Sequence, residues 1–358
     1  MRTIADFGFT PGRLPRGEKN SITDVPGVKV GHWTLKNEEH QTGVTVILPR
    51  EDIYLHKCTA AVHVINGYGK SAGLVQIEEL GQLETPIALT NTLNVGLVSD
   101  ALVQYTIEEL EKKGRKLRSL NPVVGECNDS GLNDITHRVI GYEQVMEAIR
   151  GASDTFEQGC AGAGAGMTCH DLKGGIGSAS RMIRIGRETF TVGVLALCNH
   201  GNLVDLMICG KPVGRAILER QRALRKEDAG KADPPEDVGS CILVVGTDLP
   251  VSDRQLKRII RRSAAGLARC GSYWGHGSGD IAIGFSTAGS IEEDETRGII
   301  DQKVLCERMV EQAFLAAAEA AEESVLNALA AALPVTVGDG TSRHALCEYE
   351  DILTAMRD

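Results

Sequence analysis

No run of about 18 apolar residues occurs anywhere in the chain, which argues against a membrane-spanning helix of ordinary length. The N-terminal stretch MRTIADFGFTPGRLPRGEKNS offers no apolar core of the kind a secretory signal carries ahead of its prolines and charges. There is no CxxC pair. The ten cysteines stand singly between Cys58 and Cys347, a spacing that fits reduced, mostly buried thiols rather than a disulfide framework or a zinc ribbon. The nine histidines are equally dispersed, so neither a metal nor any other cofactor is expected. Cations are in deficit: 38 Lys and Arg against 48 Asp and Glu give a net charge of -10, which disfavours nucleic acid or an anionic membrane surface as a partner. A soluble, cytoplasmic protein acting on small polar or cationic ligands is the expectation.

What the chain does contain is enough to build a large core: 358 residues, 42% hydrophobic, punctuated by 41 glycines. Short apolar runs predict strands over Val28–Leu35, Gly43–Leu48, Ala60–Ile65, Pro86–Thr90, Met182–Ile185, Thr189–Cys198, Leu203–Ile208, Cys241–Val245 and Ile281–Ser286. Helical periodicity is clearest over Val95–Lys113, Tyr142–Gly151, Ser252–Arg269 and Asp301–Leu333. The third of these helices opens on a capping box, Ser252 with Gln255, and its basic face reads as solvated. One segment, residues 222–238, is charged and proline-bearing and reads as a flexible loop. It interrupts a single domain, because too little sequence follows it to fold alone.

Four polar clusters sit at the ends of apolar or glycine-rich runs: VVGECNDSGLNDI, GAGAGMTCHDLKGGIGSASR, LCNHGN and GSYWGHGSGDIAIGFST. The GAGAG glycines tempt a phosphate-binding reading, but no helix opens at them, so close backbone packing is the better account. In the last cluster Ser278 and Asp280 alternate with Gly277 and Gly279, so both side chains share a face and could orient a nucleophile; a simple turn is the equal alternative. Ser240 poses a sharper question, because a hydroxyl preceded by Gly239 opens an apolar strand just where the charged loop stops. No GxSxG elbow surrounds it. If the Gly239–Ser240 bond were cut, the new α-amine, with a pKa of about 8, could act as base for its own hydroxyl. On these features alone an ordinary loop-to-strand junction is the favoured reading.

The segments NSITDVPGVKVGHWTL, NGYGKSAGL, ELGQLETPIALTNTLNVG, GECNDSGLNDI, GAGAGMTCHDLKGGIGSASR, TVGVLALCNHG and, above all, the block from Gly239 to Thr287 together resemble the DmpA family of L-aminopeptidase/D-esterases, which includes the β-peptidyl aminopeptidases. The resemblance implies an α+β, four-layer αββα sandwich similar to N-terminal nucleophile hydrolases but with different connectivity. It implies a precursor that cuts itself at Gly239/Ser240 into polypeptides 1–239 and 240–358, forms a homo-oligomer of four or more copies, and needs no metal. It assigns Ser240 as nucleophile, Ser278 and Asp280 as the groups that position its amine and hydroxyl, and Asn199 as oxyanion donor. Glu126 is a candidate anchor for a substrate ammonium, with Asp129 in the same substrate-binding segment. Gly131 stands where relatives often carry an aromatic residue, which puts the substrate in doubt. The alternatives are an acyltransferase similar to ornithine acetyltransferase, disfavoured because that family is processed before threonine, and a non-hydrolytic glycine-rich nucleotide-binding protein.

Overall fold

Alternating apolar residues dominate the chain between its glycines, and most of that alternation becomes sheet. The structure, a computed structural model, describes residues 2–225 and 239–357. The strands are β1 (Lys29–Lys36), β2 (Gln41–Leu48), β3 (His56–Gly67), β4 (Gln82–Leu83), β5 (Ile87–Asn91), β6 (Val123–Cys127), β7 (Thr168–Cys169), β8 (Leu172–Lys173), β9 (Gly175–Ile185), β10 (Glu188–Asn199), β11 (Ser240–Thr247), β12 (Gly279–Glu292), β13 (Val335–Thr336) and β14 (Ser342–Arg343). The helices are α1 (Leu74–Leu80), α2 (Val95–Glu111), α3 (Tyr142–Arg150), α4 (Val213–Arg225), α5 (Asp253–Ile260), α6 (Ser263–Arg269), α7 (Val310–Ala331) and α8 (Glu350–Ala355).

Two sheets carry the fold. One runs β1-β2-β5-β6 and the other β4-β3-β12-β11-β10-β9. Their facing sides enclose one apolar layer, with Ile47, Ile87, Leu89 and Val123 on one side and Leu195, Leu197, Ile242, Val244, Ile281 and Ile283 on the other. Alternation sends the intervening residues outward. Val44, Val46, Ala88 and Val124 meet α2 and α3 through Val98, Leu102, Val145 and Met146. Cys241, Leu243, Val245 and Ala282 meet the helices packed outside the larger sheet, among them α5, α6 and α7. The result is the expected αββα sandwich. Because β11 and β12 lie between β3 and β10, the segments before and after residue 239 share one sheet.

Several elements differ from expectation. Leu203–Ile208 is no strand: Leu203–Asp205 forms a 3-10 turn, and the buried apolar positions Leu203 and Leu206 are spaced by three rather than two. The expected helix Ser252–Arg269 breaks into α5 and α6, where the Ser263 hydroxyl takes the Ile260 carbonyl at 2.5 Å. Helix α7 starts only at Val310, after a 3-10 turn at Glu307–Met309. Residues 222–225 complete α4 rather than a loop; the remainder of the expected loop, 226–238, lies outside the described residues. The basic face of α5 is paired, with Arg254 and Arg258 on Glu307 and Lys257 on Glu78. All ten cysteines are free.

Alanines on α7 let it lie almost on the backbone of β9. The helix is fastened there by Arg181, fully buried, whose guanidinium reaches Glu319 at 3.2 Å and Glu323 at 2.7 Å. A Cβ at Gly177 would fall 1.9 Å from the Ser324 carbonyl oxygen, so the helix would have to move. Gly177→Ala is expected to destabilise the protein by roughly 3 kcal/mol, read as a lower denaturant midpoint at unchanged slope.

Candidate active site

Ser240 is the first residue of β11, and its neighbours follow from register. Antiparallel pairing with β10 puts Asn199 directly opposite, and parallel pairing with β12 puts Gly279 on the other side. The carbonyl oxygen of Gly239 accepts the Ser240 hydroxyl at 2.7 Å and the Gly279 N–H at 2.9 Å. Two donors on one carbonyl polarise it toward attack. Gly239 is needed for space: a Cβ there would lie 2.3 Å from the Asn199 carbonyl oxygen. Its φ is not in the left-handed region, so close approach, and not backbone strain, explains the glycine.

A cleft of about 790 Å³ opens in front of Ser240. Asn199 lines it with a fixed amide: the Thr168 N–H donates to Oδ1 at 2.8 Å, which obliges Nδ2 to face the other way, toward the Asn128 carbonyl at 2.9 Å. The second Nδ2 hydrogen is left for an oxygen in the cleft. Glu126, at the end of β6, also lines the cleft although it is only 2% exposed. Its Oε1 accepts the Lys70 main-chain N–H at 2.7 Å and its Oε2 accepts the Thr92 hydroxyl. No cation forms an ion pair with it among the described residues. A buried carboxylate held by neutral donors is a socket for a cationic ligand group.

Ser278 and Asp280 flank Gly279, are fully buried, and do not line the cleft. In register, Gly279 stands opposite Ser240 and Asp280 opposite Cys241. The Ser278 backbone is pinned, its N–H on the Gly275 carbonyl and its carbonyl taking the Tyr68 N–H, while its Oγ has no hydrogen-bond partner among the described residues. Burial, with the nearby Asp280 charge as a smaller cause, pushes the Cys241 thiol up to about 11. Asp129 is not brought into the cleft. Its carboxylate is taken by Thr42 at 2.6 Å, Asn133 at 3.0 Å and Asn91 at 3.2 Å, so it braces the loop behind the wall instead of touching a substrate.

Gly131 faces open space within the cleft lining, but the site is not without aromatics, because Tyr68 and Tyr273 line it from other segments. The segment NGYGKSAGL carries Tyr68 and Lys70, a signal available in the sequence but not read for its chemistry. His200 also lines the cleft, where burial, reinforced by His170, lowers its pKa to about 3. So weak a base would accept a serine proton poorly. The GAGAG segment makes a 3-10 turn, Gly162–Gly164, and its backbone turns carbonyls inward. Gly164, Met167 and Gly174 all offer oxygens to Lys173 Nζ at 2.9–3.0 Å. That arrangement opposes phosphate binding, and burial lowers the Lys173 pKa.

This architecture recurs in known proteins. The L-aminopeptidase/D-Ala-esterase/amidase of Ochrobactrum anthropi, described as a prototype of the serine aminopeptidases and a variant of the Ntn hydrolase fold, superposes with a TM-score of 0.89 at 32% identity, over 99% of this chain and 98% of that one. The PH0078 protein of Pyrococcus horikoshii superposes with a TM-score of 0.90 at 44% identity, with the same coverage of both chains. The class is thus an Ntn-type hydrolase. The sequence is 36% identical to the β-peptidyl aminopeptidase BapA of Sphingosinicella microcystinivorans over 338 residues, 90% of this chain and 84% of that protein. Residues 20–343 match the profile of peptidase family S58. The chain belongs to that family and is a hydrolase of the aminopeptidase/amidase type.

Gly279 tests how tightly the Ser240 hydroxyl is held. A Cβ there would sit 3.0 Å from Ser240 Oγ and 3.0 Å from the Gly69 backbone. Gly279→Ala should displace the hydroxyl and lower turnover by about 100-fold, a cost within reach of a 1 Å misplacement, with the far-ultraviolet circular dichroism unchanged.

Proposed function

We propose that the protein cuts its own chain between Gly239 and Ser240 and then uses Ser240 as an N-terminal nucleophile to release N-terminal residues from small peptides, amides or esters. The observation that carries the aminopeptidase reading is Glu126, a buried carboxylate without a cationic partner among the described residues, in the same cleft as Ser240. A free substrate amine is the cation it lacks. In processing, Ser240 Oγ attacks the Gly239 carbonyl carbon, the C–N bond breaks as the hydroxyl proton passes to the Ser240 nitrogen, which becomes the free α-amine, and the resulting ester is hydrolysed by water. The two hydrogen bonds that the Gly239 carbonyl oxygen accepts support this step.

In turnover the freed α-amine accepts the hydroxyl proton as Oγ attacks the substrate carbonyl, then returns it to the departing amine. The resulting acyl-enzyme ester is hydrolysed by water. Asn199 Nδ2 donates to the oxyanion, and Ser278 with Asp280 position the amine and hydroxyl. The open wall at Gly131 leaves room for the extra backbone carbon of a β-residue, alongside L or D forms. The cytoplasmic location and the homo-oligomer of four or more copies expected from composition and family resemblance belong to the same reading. Among the described residues no helix is long and apolar enough to cross a membrane.

Intact-mass measurement tests the processing step. The purified protein should give two polypeptides divided at Gly239/Ser240, whereas Ser240→Ala should give one folded, uncut chain that hydrolyses nothing. Ser240→Cys should keep partial processing. A cut and active Ser240→Ala protein is the result that removes the assignment.

Chemistry and recognition separate in kinetics. The oxyanion charge exists only in the transition state, so Asn199→Ala should lower kcat by about 100-fold or more with little change in KM. The substrate ammonium is charged throughout, so Glu126→Gln should mainly raise KM, and only for substrates with a free amine. Aminoacyl nitroanilides and their N-acetylated counterparts supply the comparison; preference of the wild type for the acetylated series would overturn the ammonium role.

A further inference from the structure

Two histidines 97 positions apart in the sequence, His40 and His137, meet beside the loop that supplies Ser130 and Gly131 to the cleft wall. His40 Nε2 and His137 Nδ1 lie 3.3 Å apart. The proton position on the His40 ring is fixed from the far side by a hydrogen bond, and that on His137 is biased by a nearby carboxylate. Asn133 Nδ2 donates to the Asp129 carboxylate at 3.0 Å, so its Oδ1 is the atom that faces His40 Nδ1, also at 3.0 Å. His40 therefore carries its hydrogen on Nδ1 and a lone pair on Nε2. On the other ring, Asp134 Oδ2 lies 3.5 Å from His137 Nε2 and draws the hydrogen there, leaving the lone pair on Nδ1. The two lone pairs point at the same small volume, and two such pairs without a positive charge between them repel.

A third donor completes the group. Glu39 Oε2 is 4.0 Å from His40 Nε2, and ligand atoms of Glu39, His40 and His137 all fall within 4.8 Å of one another. Two nitrogens bound at about 2.0–2.1 Å to a tetrahedral zinc stand about 3.3–3.4 Å apart, the separation observed here. His40 is buried, whereas Glu39 and His137 are exposed, so an ion can enter and the glutamate can close on it by side-chain rotation. An outer partner that fixes the tautomer of a ligating histidine is the usual companion of such sites, and here a chain from Asp129 through Asn133 to His40 supplies it.

We propose that Glu39, His40 and His137 form a binding site for a divalent transition-metal ion with nitrogen and oxygen preference, such as Zn²⁺, with water filling the remaining position. None of the three lines the cleft, so the ion is not catalytic. It clips the turn between β1 and β2 to the segment around Asp134, already joined by the Asp134 N–H on the Glu39 carbonyl at 3.1 Å, and so stiffens the loop that carries Ser130 and Gly131. The proposal does not depend on the self-cleavage scheme.

The experiment uses the untagged full chain, stripped with a chelator and titrated with Co²⁺, whose visible absorption reports tetrahedral nitrogen and oxygen ligation, then with Zn²⁺ as competitor. One equivalent of Co²⁺ should give a saturable band that one equivalent of Zn²⁺ removes. His137→Ala, a change at an exposed position, should weaken binding by at least about 100-fold, and Asn133→Ala, which removes the outer partner of His40 together with one donor to Asp129, by about 10–100-fold. The kcat of aminoacyl nitroanilide hydrolysis should stay unchanged in His137→Ala. Absence of a band in the wild type would mean that the histidines share only a proton and would overturn the site. So would a band that persists in His137→Ala, since the ion would then lie elsewhere, for instance at the buried group of Cys169, Cys198 and His200.

Discussion

Everything at the active site depends on one strand being paired on both sides at its first residue. β11 begins at Ser240 with no free edge: Asn199 of β10 is opposite it on one side and Gly279 of β12 on the other. A strand start is ordinarily where a sheet frays. Here the two flanking strands hold the first residue as firmly as the middle ones, and the Gly279 N–H extends the ladder one step further, to the Gly239 carbonyl. The Ser240 backbone is thus held by main-chain hydrogen bonds on both sides, and the side chains that line the cleft supply charge and recognition.

That specialisation divides the polar groups into two sets. Those in the cleft, Glu126 and Asn199, have main-chain or hydroxyl partners that fix their orientation yet leave capacity toward the opening. Several charged groups outside it are saturated. Arg181 is matched by Glu319 and Glu323, Lys173 by three carbonyls, Asp129 by three donors. Buried charges are tolerated only when their hydrogen-bonding capacity is met, so unmet capacity marks where a ligand belongs.

Much of this could be read in the sequence because the relevant signals are local. The junction of Gly239 and Ser240 was visible as a hydroxyl at the head of an apolar run, and β1, β2, β5, β10 and α2 follow from period-two or period-three-and-a-half spacing. What was lost was short or distant. β6 is five residues with a glycine in its middle, too brief for periodicity, yet it carries Glu126 into the cleft wall. Leu203–Ile208 offered apolar residues without revealing their spacing as a turn. Tyr68, Thr168 and Arg343 join the cleft from three separate segments, and a stretch of sequence does not announce which remote loop it will face. The role of Gly239 was legible as to identity but not cause, since the carbonyl it must clear belongs to Asn199 on another strand.

The central position of β11 has a consequence for what kind of object the cut protein would be. Severing the chain before Ser240 frees an end but not a strand, because β11 and β12 remain ladder partners of β10 and β3. The mature molecule would be a heterodimer whose interface is the interior of a sheet. Unfolding of each cut protomer would then include a dissociation of its two polypeptides, which adds a dependence on protein concentration that the covalently joined precursor does not have at this step. Scission would also make folding a one-way event in practice: separated polypeptides would have to find each other at second order and rebuild the middle of a sheet, a route the continuous precursor never has to take.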